Sequence, residues 1–168
     1  MRTLTKENAR ELLGGRSLDA AIVEFARQLP LVEGAYSAPT KSGVQIALAK
    51  LFVSLMLRET SVCLCVTGWG IAMEHMDLFN GYRRSLGEKR ALIEAPVHIF
   101  DPADEDAFIS LLCLVFFFSW DATVFEFSGR SMLQTSHDGW LEIRTSDEAI
   151  RKSVAVEMEG YRVALLAP

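Results

Sequence analysis

Residues 101 to 145 constrain the fold more than any other stretch. They open on Asp101-Pro102, a strong helix start. Asp at the N-cap accepts orphan backbone N–H groups, and Pro at the first helical position needs no donor. Asp104, Glu105 and Asp106 then favour the positive end of the helix dipole. This helix is predicted to reach about residue 117, acidic in its first half and too apolar in its second to face water. A β-meander follows. Residues 122 to 127 alternate, Ser128-Gly129-Arg130 turns, and residues 131 to 136 return. Asp138-Gly139 turns again, since both residue types tolerate positive φ. Residues 140 to 145 then set Leu141 and Ile143 against Glu142 and Arg144 on opposite faces.

The rest of the chain adds helices. Thr5 caps a helix to residue 13 that ends at Gly14-Gly15, and Ser17 caps a second with an apolar stripe of Leu18, Ala21, Ile22, Phe25 and Leu29. Residues 30 to 41 read as a loop punctuated by Pro30, Gly34 and Pro39. Residues 42 to 57 form a helix apolar on most sides, hence central. Residues 61 to 67 (SVCLCVT) read as a buried strand, and 73 to 86 as a helix that Asn80-Gly81 can split. Residues 83 to 90 (RRSLGEKR) form a basic loop and 97 to 100 a short strand. Ser146-Asp147-Glu148 starts a last helix. Gly160 separates it from YRVALLA, a final strand or more helix, so residues 154 to 166 stay open. Strands and helices do not alternate. The prediction is therefore an α+β fold, with helices packed on one face of a mostly antiparallel sheet that ends in the meander. No repeat or linker interrupts the 168 residues, so one domain is expected.

Half of the residues are hydrophobic and 23% are charged, which excludes a disordered chain. The longest apolar run, residues 111 to 118, is too short to span a membrane. The first residues, MRTLTKENARELL, lack the apolar core of a secretory leader. Three cysteines, Cys63, Cys65 and Cys113, then read as reduced thiols, and a cytoplasmic location is expected. Cys63 and Cys65 point to the same face of their strand, too poorly placed to bridge each other, and serve as small hydrophobes.

The net charge of −5 disfavours nucleic acid as a partner. It is unevenly distributed. Residues 94 to 148 carry eleven acids and only Arg130 and Arg144, a net of −9, while the rest of the chain carries a net of +4. A one-sign surface steers opposite-sign partners. The same segregation also suits a solvated face that keeps an apolar protein dissolved. The mean hydropathy of +0.20 fits either a well-filled core or apolar surface covered by a second copy.

Chemical motifs are sparse. Gly68-Trp69-Gly70 follows a strand as a dinucleotide fingerprint would, but Met73 stands where the third glycine belongs. His75, His98 and His137 show no metal-ligand spacing, and no metal or cofactor is expected. Ser136-His137-Asp138 holds the residue types of a hydrolase triad, yet consecutive residues at a hairpin tip cannot converge on one another. Their local role is to bond turn backbone. Cys113 lies in the most apolar helix turn, where a thiol is inert. Trp120, beside Asp121, and Trp140, after Asp138, bracket the meander. Rings among carboxylates suit a surface for a basic partner, but large rings are more often core, here capping the sheet edges.

Residues 116 to 143, FFFSWDATVFEFSGRSMLQTSHDGWLEI, resemble the ends of small bacterial α+β proteins, including immunity proteins of polymorphic toxin systems. The resemblance implies a non-enzymatic inhibitor of a toxin domain, often a basic nuclease. The leading expectation is thus a protein-binding module whose acidic surface engages a basic protein, with no nucleic-acid or membrane partner. Asp104, Glu105, Trp120, Asp121, Asp138 and Trp140 are its predicted contacts. The alternatives are a small enzyme with a site near Trp69, Glu74, His75 and Asp77, and a structural homodimer.

Overall fold

The structure, a computed structural model, describes residues 1–58, 60–69 and 73–166. In chain order its elements are β1 (Arg2–Leu4), α1 (Lys6–Leu12), α2 (Leu18–Gln28), β2 (Leu31–Ser37), α3 (Ser42–Met56), β3 (Val62–Gly68) and α4 (Met73–Ser85). Then follow β4 (Val97–Phe100), a 3-10 turn over Pro102–Asp104, α5 (Glu105–Phe118), β5 (Asp121–Glu126), β6 (Ser131–Ser136), β7 (Trp140–Thr145) and α6 (Glu148–Gly160). The strands form one sheet in the order β1-β4-β3-β5-β6-β7-β2, with every neighbour antiparallel. The fold is α+β and carries the C-terminal meander.

Alternation along the central strand divides the core. Val62, Leu64 and Val66 of β3 point to the face covered by α3, α4, α5 and α6, with Phe52, Phe79, Phe108, Leu112 and Met158 among the packed side chains. Cys63 and Cys65 point the other way. They meet Ala9, Leu18 and Ile22 of α1 and α2, with Val97, Phe125 and Met132 from neighbouring strands. Phe25 stacks on Phe125 with ring centroids 5.3 Å apart. Four helices thus share one face as expected, while α1 and α2 add a partial layer on the opposite one. That second layer explains why the central strand reads as a continuous apolar run.

The caps behave as the residue types dictate. Thr5 accepts from Asn8 N–H, Ser17 from Ala20 N–H, and Asp147 from the N–H groups of Ala149 and Ile150. Asp101 and Asp104 form a reciprocal capping box around Pro102. All three cysteines are free and buried, and burial raises each thiol pKa, that of Cys65 to about 12.

Several expectations need correction. Residues 31–37 are the edge strand β2, not part of a loop. β7 has an open side whose backbone groups need partners, and Val32 and Tyr36 fill the core from there. The Glu33 bulge (φ 59) and Gly34 hid this strand from its sequence pattern. β1 carries no sequence signal and forms by pairing with β4. Asn80-Gly81 does not split α4, because Asn80 Oδ1 accepts from Arg83 and from Leu92 N–H. The basic loop is partly internal. Arg83 belongs to α4, is wholly buried, and donates to the carbonyls of Arg90 (3.1 Å) and Ala95 (2.7 Å). Residues 154 to 166, open between helix and strand in the sequence, continue α6 to Gly160 and then form a single bridge between Leu165 and Tyr36. Among the described residues, no helix is long and apolar enough to cross a membrane.

Candidate functional site

A cluster of polar groups joined across 16 residues of sequence lies at one end of the sheet, and the turn after α5 puts it there. Ser119 takes a left-handed conformation (φ 52, ψ 53). Its N–H donates to Phe116 O and that of Trp120 to Val115 O, the two bonds of a Schellman closure. This turn drives Trp120 inward against Phe79 and Phe118, at centroid distances of 5.1 and 5.3 Å. The next residue, Asp121, emerges at the sheet end as the first residue of β5. Thr135 Oγ1 fixes the turn by donating to Trp120 O (2.8 Å) and accepting from Ala122 N–H (3.2 Å).

Asp121 pairs in register with Gly68, and only glycine fits opposite it. A Cβ on Gly68 would lie 2.3 Å from Asp121 Oδ2. The carboxylate reaches instead to the β6–β7 loop. Asp121 Oδ1 accepts the His137 backbone N–H at 2.7 Å, and its two oxygens lie 2.8 and 2.9 Å from His137 Nδ1. On the other side of the ring, Nε2 lies 3.6 Å from Asp138 Oδ1. The hydrogen bond to Asp121, then the charges of Asp121 and Asp138, raise the His137 pKa. The loop comprises residues 137–139, since Ser136 pairs with Trp140. Only Gly139 takes positive φ (81°), so Asp138 does not share that role as expected. Ser136 Oγ accepts Asp138 N–H at 3.2 Å, the backbone role the sequence predicts for it.

Chemically, Asp121 orients an imidazole whose far nitrogen meets a second carboxylate rather than a nucleophile. With His137 neutral the cluster carries two negative charges; protonation leaves one. The ring and Asp138 are largely exposed, with side-chain exposures of 65% and 71%. A small cavity lies beside the cluster, under the Ser119–Trp120 turn. The cavity lined by Ala38, Pro39, Ser119, Trp120, Thr135 and Ser136 has about 10 Å³, room for roughly one water.

The six predicted contact residues separate into two groups. Asp121, Asp138 and Trp140 share this sheet end, where Trp140 is half-buried beside Ser136 and Ser37. Trp120 shares the end but not the surface. At 1% exposure its ring is core, because the Ser119 turn points it inward. Asp104 and Glu105 lie at the opposite end of α5, whose 14 residues span about 21 Å. Asp104 is occupied with the Asp101 N–H and the Met1 amino group (2.6 Å). The long acidic stretch of sequence is therefore not one face. Elsewhere in it, Glu126 is buried beside Ser128 and Arg130, and Glu142 pairs with Arg144.

Of the alternative site, Glu74 and Asp77 are exposed on α4, and His75 stacks on Phe118 at 4.2 Å. Gly70, the second glycine of Gly68-Trp69-Gly70, lies outside the described residues. Among the described residues, no group of three His, Cys, Asp or Glu is placed to hold a metal ion. Sequence reasoning missed the Asp121–His137 pair, which is 16 residues apart. The signal was the β5–β6 register, which sets Ala122 opposite Thr135 and so brings residue 121 to the following loop. Compared with protein-family models, curated proteins and solved structures, the chain matches none.

Proposed function

We propose that the chain is a protein-binding module that receives a basic partner at the sheet end formed by residues 67–69, 119–121 and 136–140. The observation that carries this reading is the Asp121–His137–Asp138 cluster, exposed on a hairpin; among the described residues the cavity beside it, under the Ser119–Trp120 turn, has only about 10 Å³. A small substrate needs a concave pocket of some hundreds of Å³, whereas a macromolecule docks on an exposed surface. A partner's Lys or Arg supplies the cation that two carboxylates around one imidazole call for. Half-buried Trp140 offers an apolar contact at the same end. The docking surface is narrower than the charge pattern of the sequence implies, since Asp104 and Glu105 lie outside it.

The narrowest form of the reading follows from the resemblance of residues 116 to 143. The chain is then an immunity protein that neutralises a basic toxin domain in the bacterial cytoplasm. Affinity capture from lysate of the source organism, at low and at high salt, tests the surface. An Asp121→Asn/Asp138→Lys variant serves as the control. A basic protein retained at low salt, released at high salt and lost from the variant supports the proposal. Equal retention by the variant removes this surface from consideration. For a captured toxin domain, the immunity form requires that added chain abolish its activity.

A further inference from the structure

Among the described residues, the outer edge of β2 is covered by residues 164–166. Ser37 N–H donates to Ala164 O and Leu166 N–H donates to Ala35 O, both at 2.8 Å, around the single antiparallel bridge between Tyr36 and Leu165. Side-chain burial adds little, because Leu165 remains 50% exposed and Leu166 43%. The segment hangs from a second Schellman closure. Arg162 N–H donates to Glu159 O and Val163 N–H to Met158 O, each at 2.9 Å. The left-handed position that glycine usually takes is held by Arg162, at φ 55. The covering segment is thus weakly attached at one end and strained at the other.

The rest of the edge is guarded differently. Between Leu31 and Ala35 the register shifts, and Glu33 sits in the left-handed region, a charged bulge that discourages further pairing. Ala35 to Ser37 have no such guard and depend on the covering segment. Exposed apolar groups gather here. Val156, 67% exposed, and Leu165, 50% exposed, line a hollow of about 360 Å³ together with Val163 and the acidic residues Glu33 and Glu159.

We propose that residues 163–166 are a displaceable strap, and that a second copy of this chain replaces it on β2 with its own residues 164–166, by reciprocal exchange. The occupant follows from the fit already present, because these residues pair with this edge within one chain. Exchange re-forms the same backbone hydrogen bonds between two chains. It also frees Arg162 from its left-handed turn and brings Val156, Leu165 and Leu166 against a second molecule. The proposal does not rest on the docking surface, although Ser37 pairs with Trp140 at the margin of that surface.

Ser37 and Ala164 face each other beside the Tyr36–Leu165 bridge, at a spacing a disulfide can close. The test mixes one chain carrying Ser37→Cys with another carrying Ala164→Cys under mild oxidation, over a range of protein concentration. A single chain carrying both substitutions is the control for geometry. The native cysteines are buried and do not compete. The expected result is a covalent heterodimer that increases with concentration and well exceeds any dimer from either variant alone. Closure in the doubly substituted chain with no heterodimer from the mixture overturns the proposal. So does cross-linking of the Ser37→Cys chain to a free peptide of residues 162–168 carrying the cysteine, if the Ala164→Cys chain gives none, because the occupant is then not a second copy.

Discussion

Acidification through the histidine range should weaken the fold through His98. This ring is wholly buried on β4, between Phe79 and Phe100. Its Nδ1 lies 3.3 Å from Leu64 O, and its Nε2 has no hydrogen-bond partner. As a donor to that carbonyl, Nδ1–H suits a neutral ring, and the backbone of Leu64 and of Pro96 only partly offsets the cost of charging it. Burial, followed by the nearby Arg83 charge, lowers its pKa from 6.5 to about 3. Between these values the unfolded chain binds a proton that the folded chain refuses, so stability falls as pH drops below about 6.5. One proton corresponds to about 1.36 kcal/mol per pH unit, hence roughly 2 kcal/mol between pH 6.5 and 5. Urea unfolding of the parent chain and of His98→Gln, at half-unit pH steps over that window, measures the effect. The variant loses some packing at every pH but should lose this slope. Equal slopes in the two proteins would refute the reasoning.

His137 should titrate in the opposite sense. Its raised pKa means a contribution to stability that is full below the unfolded value near 6.5 and lost as pH rises through the folded one. An NMR titration should place His137 above 6.5 in the parent chain and lower in Asp121→Asn; no change in the variant rejects the pairing. Gly68→Ala should cost about 1–3 kcal/mol, the usual range for overpacking, because its Cβ displaces the Asp121 carboxylate. The His137 resonance should move with it, and an unshifted resonance would contradict the geometry. Ser119→Gly should stabilise by about 0.5–1 kcal/mol by relieving a left-handed serine, read as a higher denaturant midpoint at unchanged slope.

Features set by neighbouring residues were legible in the sequence. Thr5, Ser17, Asp101 and Asp147 announce helix starts because capping is local, and the meander shows in its alternation and turns. What depended on distant partners was not. β2 is a strand because β7 offers an edge more than a hundred residues later, and its bulge erases the period-two pattern. Asp121 and Trp120 illustrate the same limit at the site. Their adjacency suggests a shared surface, yet one backbone rotation at Ser119 sends the indole into the core and the carboxylate to His137. The charge segregation was real as arithmetic but misleading as geometry, because α5 carries its acidic start to the far end of the sheet.

The pairing of β2 with β7 also imposes an order in time. Leu31 is registered with Arg144, 113 residues downstream. At roughly 5–20 residues per second, a ribosome takes about 6–23 s to deliver that partner. Throughout this interval β2 has no strand to join, and Val32 and Tyr36 lack the sheet that buries them. The nascent chain must therefore keep an apolar segment out of mischief until its C-terminal third emerges. Strands β5, β6 and β7 pair locally and can form as soon as they appear, so the β2 edge, made from residues 31–37, is sealed only after them, whereas β1 has its partner β4 sooner.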